Sequence, residues 1–359
     1  MRLVNIQNIK EGDILARSIY DNNFALLFSE GGKLSKGLIN KFKENEITSL
    51  YIEDEISKGI TLEPILEETF KLKAVVEMKH LFETYSLEKN KGKQIDDRDI
   101  KKLRILVSEI VDELLANSKL KYFSVELQGI DMYTYNHCVE VMILSVLIGN
   151  KMGFDKVNLN KLAMGAILAD IGKIKIPEEI INKKEKLEKS EMNVIKQHTI
   201  YGYELIRSAR ELFPISKQII LFHHERLDGT GYPKQMKGDN IAVPIRIVAM
   251  VDIFTAIVSN RAYNVRKGID QALEILRVGV IEKLDPAVLD ALTRVIEVYP
   301  KGTLVKLSDG SKGIVIGNNE NMPSRPIVRI IKDGKIINEV NLMKELTLFV
   351  KQTLSALNE

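Results

Sequence analysis

Cysteine is nearly absent from this 359-residue chain, with Cys138 standing alone. No intrachain disulfide can form and no thiolate cluster can hold zinc, so a reducing, cytoplasmic setting is expected. An excess of charge of one sign is lacking too. The 52 Lys and Arg against 49 Asp and Glu leave a formal net charge of +3, which gives no broad footprint for a nucleic-acid polymer or an anionic membrane. Long hydrophobic runs are also missing. The start, MRLVNIQNIKEGD, has no signal-like apolar core, and Val141 to Ile148, the most apolar stretch, is too short to span a bilayer. Membrane insertion is therefore not expected. What remains is 45% hydrophobic, ample for packed cores, and long enough for two or three domains.

The text changes character along its length. Residues 1–58 carry Gly12, the pair Gly31-Gly32 and short apolar runs such as Phe24 to Phe28 and Leu50 to Ile52, the pattern of a small strand-rich α+β module with one helix near Lys36 to Lys43. Residues 59–125 predict two amphipathic helices. From Pro64 to Tyr85, Ile65, Leu66, Phe70, Val75, Met78, Leu81, Phe82 and Tyr85 recur near helical spacing. From Asp97 to Leu115, Leu103, Leu106, Val107, Ile110 and Leu114 form a second stripe, with Asp96 or Asp97 as the cap. A helical hairpin follows, read either as a stalk or homodimer contact or as a packed intrachain pair. Residues 126–298 read as all-helical. Residues 299–359 hold strand-like runs TLVKLSDG, SKGIVIGN, PIVRIIKDG and KIINEV divided by turn residues, a small β-rich module with a partly helical tail. The fold class is multidomain and mainly α.

Four of the five histidines, His137, His198, His223 and His224, fall within the helical stretch. His137 opens the apolar segment HCVEVMILSVLIG, whose Val141, Leu144 and Ile148 face a core at spacings of three or four. Asp170 lies in AMGAILADIGK and Asp252 in IRIVAMVDIFTAIV, runs otherwise apolar enough for core helices. A buried carboxylate calls for a cation, a basic partner or a metal beside it. One such Asp could be a cap facing solvent, and one such His is more often a packed residue; together they point to a metal site. Imidazoles with carboxylates suit Fe, Mn or Zn rather than calcium. Lys173, just past Asp170, is placed to meet a phosphate oxygen, or is a surface lysine after a helix end. The loop ERLDGTGYPKQMKG suits close backbone approach to a ligand.

The string HHERLDGTGYP closely resembles the motif of the HD-GYP family, a branch of the HD metal-dependent phosphohydrolases. His137, Asp170 and Lys173 in ADIGK, His198, His223-His224-Glu225, Asp228-Gly229, Gly231-Tyr232-Pro233, and Asp252 followed by Ser259, Arg261 and Tyr263 match its pattern in order. The resemblance covers roughly Asp131 to Val298. It implies hydrolysis of cyclic di-GMP or a related cyclic dinucleotide, to the linear pGpG and in some members on to GMP, at two divalent ions, Fe or Mn before Zn or Mg. By the same resemblance Asp170 bridges the ions, His198, His223 and His224 complete one, and His137 and Asp252 serve the other. Lys173 and Arg261 would meet phosphate, and Gly231, Tyr232 and Pro233 would line the substrate.

The pattern breaks in places. Where the family has the His of its His-Asp pair stands Ala169, which has no donor atom. Tyr133 stands where some members place an acidic ligand for a third ion, and Thr255 and Asn264 replace an Asp and a basic residue. Two functions follow from one fold: a metal-dependent cyclic-dinucleotide phosphodiesterase with a weakened first ion, or a degenerate domain that binds a cyclic dinucleotide or signalling proteins. Another HD-type activity on nucleotides fits the GYP loop less well.

Overall fold

The computed structural model describes residues 1–20, 26–44, 47, 49–86, 93–123, 133–181, 183, 185, 187–258, 268–319, 322–354 and 356. Its N-terminal module comprises strands β1 (Arg2–Asn5), β2 (Ile14–Leu15), β3 (Ile19–Tyr20), β4 (Leu26–Phe28) and β5 (Ser49–Glu53), with helix α1 (Lys36–Glu44). β5 is the middle of an antiparallel sheet, with Leu3 opposite Tyr51 and Leu15 opposite Ile52. Alternate residues of these strands point inward, so Val4, Leu15, Leu50 and Ile52 meet Ile39 and Phe42 of α1 in a small separate core. Of the apolar run Phe24 to Phe28, the last three residues form β4; Phe24 lies outside the described residues.

Helices α2 (Glu68–Thr84) and α3 (Asp97–Ala116) form at the two predicted stripes, and Asp96 caps α3 by accepting the Arg98 N–H at 2.8 Å. They do not stand out as a stalk. Val75, Met78, Leu81, Leu103, Val107 and Ile110 are buried in the same core as the helices that follow. Polar contacts run the same way: Lys71 Nζ donates to Glu140 at 3.3 Å, Ile95 N–H to Leu205 O at 2.8 Å, and Arg210 N–H to Asp97 Oδ1 at 2.8 Å. The hairpin is a packed intrachain pair continuous with the helical domain.

That domain continues with α4 (Tyr133–Lys151), α5 (Lys156–Ile167), α6 (Glu178–Ile181), α7 (Lys189–Lys196), α8 (His198–Ile206), α9 (Pro214–Phe222), α10 (Val243–Val258), α11 (Ile269–Gly279) and α12 (Pro286–Val295). Residues 137–149 of α4 are buried without a break. A helix apolar on every side belongs at the centre of a bundle, and α4 packs against α2, α3, α5, α10 and α12. The apolar run Val141 to Ile148 is thus core. Among the described residues no helix is long and apolar enough to cross a membrane.

The C-terminal module is an antiparallel sheet ordered β10-β6-β7-β8-β9, from β6 (Leu304–Leu307), β7 (Lys312–Gly317), β8 (Ile327–Lys332), β9 (Lys335–Asn341) and β10 (Val350–Leu354). The expected helical tail is instead a run of turns followed by β10, which pairs with β6. Thr347, Phe349, Val350 and Thr353 have little helical preference, and an open edge beside β6 gives them backbone partners. Val305, Leu307, Val315 and Val328 pack on the helical core, while Leu304, Ile314, Ile331 and Leu354 meet Ile56 and Ile60 on the other face. Arg329 donates to the carbonyls of Ile56 and Lys58 at 3.2 and 2.9 Å, and the Met1 ammonium to those of Ser57 and Ile60 at 3.2 and 2.8 Å. The two ends of the chain therefore share a seam. The architecture is a helical domain flanked by a small α+β module and a β-rich module.

Candidate metal centre

Five elements deliver the site. His137 comes from the second turn of α4. Asp170 follows the end of α5 and opens a short 3-10 turn, Ile171–Lys175; His198 is the first residue of α8; His223 and His224 directly follow α9; Asp252 lies within α10. The Asp170 turn must lie against α8 for this to happen, and glycine permits it. A Cβ on Gly172 would sit 1.9 Å from His198 O and 2.4 Å from Gly202 N, a spacing that excludes every side chain.

Ligand-capable atoms of Asp170, His198, His223 and His224 lie within 4.8 Å of one another, and so do those of His137, Asp170 and Asp252. Asp170 belongs to both groups. Its Oδ1 has His198 Nε2 at 3.4 Å yet makes no hydrogen bond, while Oδ2 takes the Lys173 ammonium at 2.7 Å with His137 Nε2 at 3.5 Å. His137 Nε2 is 3.1 Å from Asp252 Oδ1, and His224 Nδ1 is 3.8 Å from Asp252 Oδ2.

Ring nitrogens on the far side define the tautomers. His198 Nδ1 donates to Ile195 O at 2.7 Å and His223 Nδ1 to Ile220 O at 3.1 Å. Each neutral ring then keeps a lone pair on Nε2, and these two nitrogens face each other at 3.3 Å. Two acceptors that close repel unless a cation lies between them. Tethering of Nδ1 to a carbonyl is also how metal-binding imidazoles are oriented.

The protonation states agree. Burial lowers the His198 ring to about 4, against partial opposition from Asp170; it likewise lowers His223, and His224 well below the ordinary value. All three are neutral near pH 7. Burial pushes Asp170 upward, but the Lys173 ammonium, with the nearby His198 and His137 rings, outweighs it and leaves the carboxyl below the ordinary range. For Asp252 the hydrogen bond from His137 and the nearby His224 ring overcome the same burial. Neutral imidazoles with ionised carboxylates are the donor set that first-row divalent ions take, so the residues present fit metal.

Ala169 is buried beside these groups. With His137, Cys138, Val141, Ala166, Asp170 and Asp252 it lines a small cavity, and its methyl supplies no donor to the His137 group. Cys138, read from sequence only as a lone thiol, is part of this wall. Thr255 turns away, donating to the carbonyls of Val251 and Asp252 at 2.8 and 3.1 Å. Arg261, Ser259, Tyr263 and Asn264, with the side chain of Tyr133, lie outside the described residues.

The loop after α9 folds back over the histidine pair. The Tyr232 ring stacks on His224, centroids 4.7 Å apart at 20°, and Lys196 Nζ lies over the Tyr232 ring at 5.4 Å. Pro233 follows directly. Arg226, unremarkable in the sequence, donates to two carbonyls just beyond the end of α9, His223 O at 3.2 Å and Glu225 O at 2.8 Å. Glu225, read only as one letter of a motif, is buried. A carboxylate in an apolar setting next to two histidines was the available signal for it.

Residues 113–288 match the family described as "HD domain", and residues 304–358 match "KOW domain associated with HD domain". A cyclic di-GMP phosphodiesterase of Pseudomonas aeruginosa is 31% identical over 226 residues, covering 63% of this chain and 54% of the relative. One of Borreliella burgdorferi is also 31% identical, covering 61% and 58%. A 3'3'-cGAMP-specific phosphodiesterase of Vibrio cholerae is 31% identical over 168 residues, covering 47% and 36%. The chain thus spans little more than half the length of the first two relatives and a smaller part of the third. Among solved structures, an HDG"Y"P protein from Bdellovibrio bacteriovorus superposes with a TM-score of 0.51 at 14% identity, over 81% of this chain and 97% of that one, a likeness of fold. With the ordered His and Asp residues and the GYP loop around one centre, residues 113–288 are an HD domain of the HD-GYP type.

Proposed function

We propose that the protein is a metal-dependent phosphodiesterase acting on a cyclic dinucleotide, cyclic di-GMP first among them, cleaving it to pGpG and, where the linear product is also cut, to GMP. The observation that carries this reading is the convergence of the His198 and His223 Nε2 lone pairs beside Asp170. Names borne by the relatives supply the substrate class. Asp170, His198, His223 and His224 would hold one divalent ion, and His137, Asp170 and Asp252 a second, with Fe or Mn preferred over Zn or Mg. Such ions supply an activated water and stabilise charge on phosphoryl oxygens.

The remaining residues prepare the site for that chemistry. Lys173, held beside Asp170, brings positive charge to where a phosphate oxygen would sit. Arg261 is proposed for a second phosphate contact. Gly231, Tyr232 and Pro233 form the wall against which the dinucleotide would lie, with Lys196 at its rim. Carbonyl tethers on His198 and His223 keep both rings aimed, so no reorientation is needed when ligand arrives.

A second reading has one observation in its favour: Ala169 leaves the His137 group one imidazole short. On that reading the domain binds a cyclic dinucleotide or a signalling partner without turnover. The two separate in one experiment, in which protein prepared without oxygen is analysed for metal per chain and assayed on cyclic di-GMP with added Mn or Fe, beside Ala169→His. Turnover by the wild type supports the phosphodiesterase. Turnover confined to Ala169→His, with wild type that binds the dinucleotide intact, establishes the binding module instead.

A further inference from the structure

We propose that Glu225 is a positioning residue whose carboxylate pins the GYP loop onto the histidine pair and so sets the shape of the substrate wall; the substrate part of this rests on the phosphodiesterase reading. Glu225 directly follows His224 and is 1% exposed. Oε1 accepts the N–H of Lys234 at 2.6 Å and Oε2 the N–H of Met236 at 2.9 Å. Neither oxygen belongs to a group of metal-ligand atoms. A carboxylate this deep is stable only when its oxygens are well hydrogen-bonded, and here both are committed to backbone nine and eleven residues ahead. The loop is thereby closed on its own starting point.

Between those anchors the chain has no freedom to lift. Gly231 crosses directly over Glu225, where a Cβ would lie 2.4 Å from Glu225 Cα and 2.5 Å from Arg226 N. The Tyr232 N–H then donates to His224 O at 3.3 Å, and its ring stacks on the His224 ring. The next residues, Pro233 and Lys234, reach the first anchor. One side chain outside the metal ligands therefore fixes Tyr232 against a ligand and sets the height of the wall above it. Two charge-assisted bonds to backbone N–H groups are stronger than neutral ones, which suits a clamp.

The test uses the full chain with metal loaded, comparing wild type, Glu225→Gln and Gly231→Ala. Glutamine keeps the volume but turns one acceptor into a donor facing an N–H. Amide hydrogen exchange at Lys234 and Met236 should quicken about tenfold, the factor for losing roughly one such bond, while metal per chain stays at the wild-type value. With cyclic di-GMP, KM should rise about tenfold with a smaller change in kcat, the pattern of lost binding. Gly231→Ala leaves Glu225 in place and displaces the same loop, so it should give the same exchange and kinetic pattern even where Glu225→Gln folds poorly. The proposal is overturned by wild-type exchange at both amides in both variants, or by loss of metal in step with activity while the amides stay protected. Absence of turnover in every protein, wild type included, would sink the phosphodiesterase reading, and the exchange data would still decide the role of Glu225.

Discussion

The two halves of the candidate metal centre share Asp170 but are built differently. On one side stand three imidazoles, two of them tied through Nδ1 to the backbone carbonyl three residues earlier. On the other side His137 is engaged with Asp252 at 3.1 Å, and Ala169 contributes a methyl to a small cavity. The first half is a set of aimed, uncharged donors. The second is a carboxylate pair bridged by one ring, with a methyl where a further ligand could stand. A centre can thus keep the geometry of two sites while the halves differ in what they offer an ion.

Removing the shared residue should erase the contrast. Asp170→Ala is expected to lose metal from both groups and to cut turnover by at least about 100-fold, at the upper end of what ligand-environment changes cost. His198→Ala should remove one ion and leave the weaker half, whereas His137→Ala should spare the three-imidazole half. Metal analysis of the three variants checks the order, and equal loss from His137→Ala and His198→Ala would break the comparison.

Acid should act on the imidazole half of the metal-free protein. Because the folded His198 ring titrates at about 4 against an ordinary value of 6.5, the unfolded chain binds more protons between those values. The stability held above pH 6.5 is therefore lost as pH falls toward 4, by about 3 kcal/mol for this ring. His223 and His224, lowered in the same direction, add to the loss, and Asp170, lowered from the carboxylate range, extends it below pH 4. Denaturant unfolding across pH 4 to 7 reads it directly. A flat profile would show that the rings are not buried neutral.

Ala169→His sharpens the contrast from the other side. An added imidazole should tighten metal at the His137 group by about 10- to 100-fold. Its bulk exceeds the space beside Ala169, so the metal-free variant should be about 1–3 kcal/mol less stable; metal titration and thermal unfolding separate the two effects. The smallest change is expected from Thr255→Val. The hydroxyl bonds only carbonyls of its own helix, so stability should shift by less than about 1 kcal/mol and metal content should stay unchanged. Loss of metal in this variant would place Thr255 in the site after all.

Much of this centre was readable before any coordinate. His137, Asp170, His198, His223, His224 and Asp252 stand out because polar, ligand-forming residues interrupt runs otherwise apolar enough to be buried. The two stripes of α2 and α3 were equally plain, since helical spacing of apolar residues reports a buried face. Periodicity does not say what that face meets, however, which is why the hairpin could have been a stalk. The β-rich module was legible in its strands and turns. Its last strand was not, because β10 exists only where β6 presents an edge to pair with. Glu225 shows the same limit at the site: its partners are the N–H groups of Lys234 and Met236, and backbone donors leave no mark in a sequence.

What the amino-acid order alone determined is the chemistry available: which side chains can bind an ion, and that position 169 has none to offer. Tertiary structure decided how those groups meet. His137 and Asp252 are 115 residues apart yet within hydrogen-bonding distance, because α4 and α10 cross in one core. Whether two imidazole lone pairs face each other, or an oxygen stays without a hydrogen bond, depends on such crossings to within an ångström. Spacing along a chain fixes direction around a single helix, but the approach of one helix to another is set by the packing of every side chain between them.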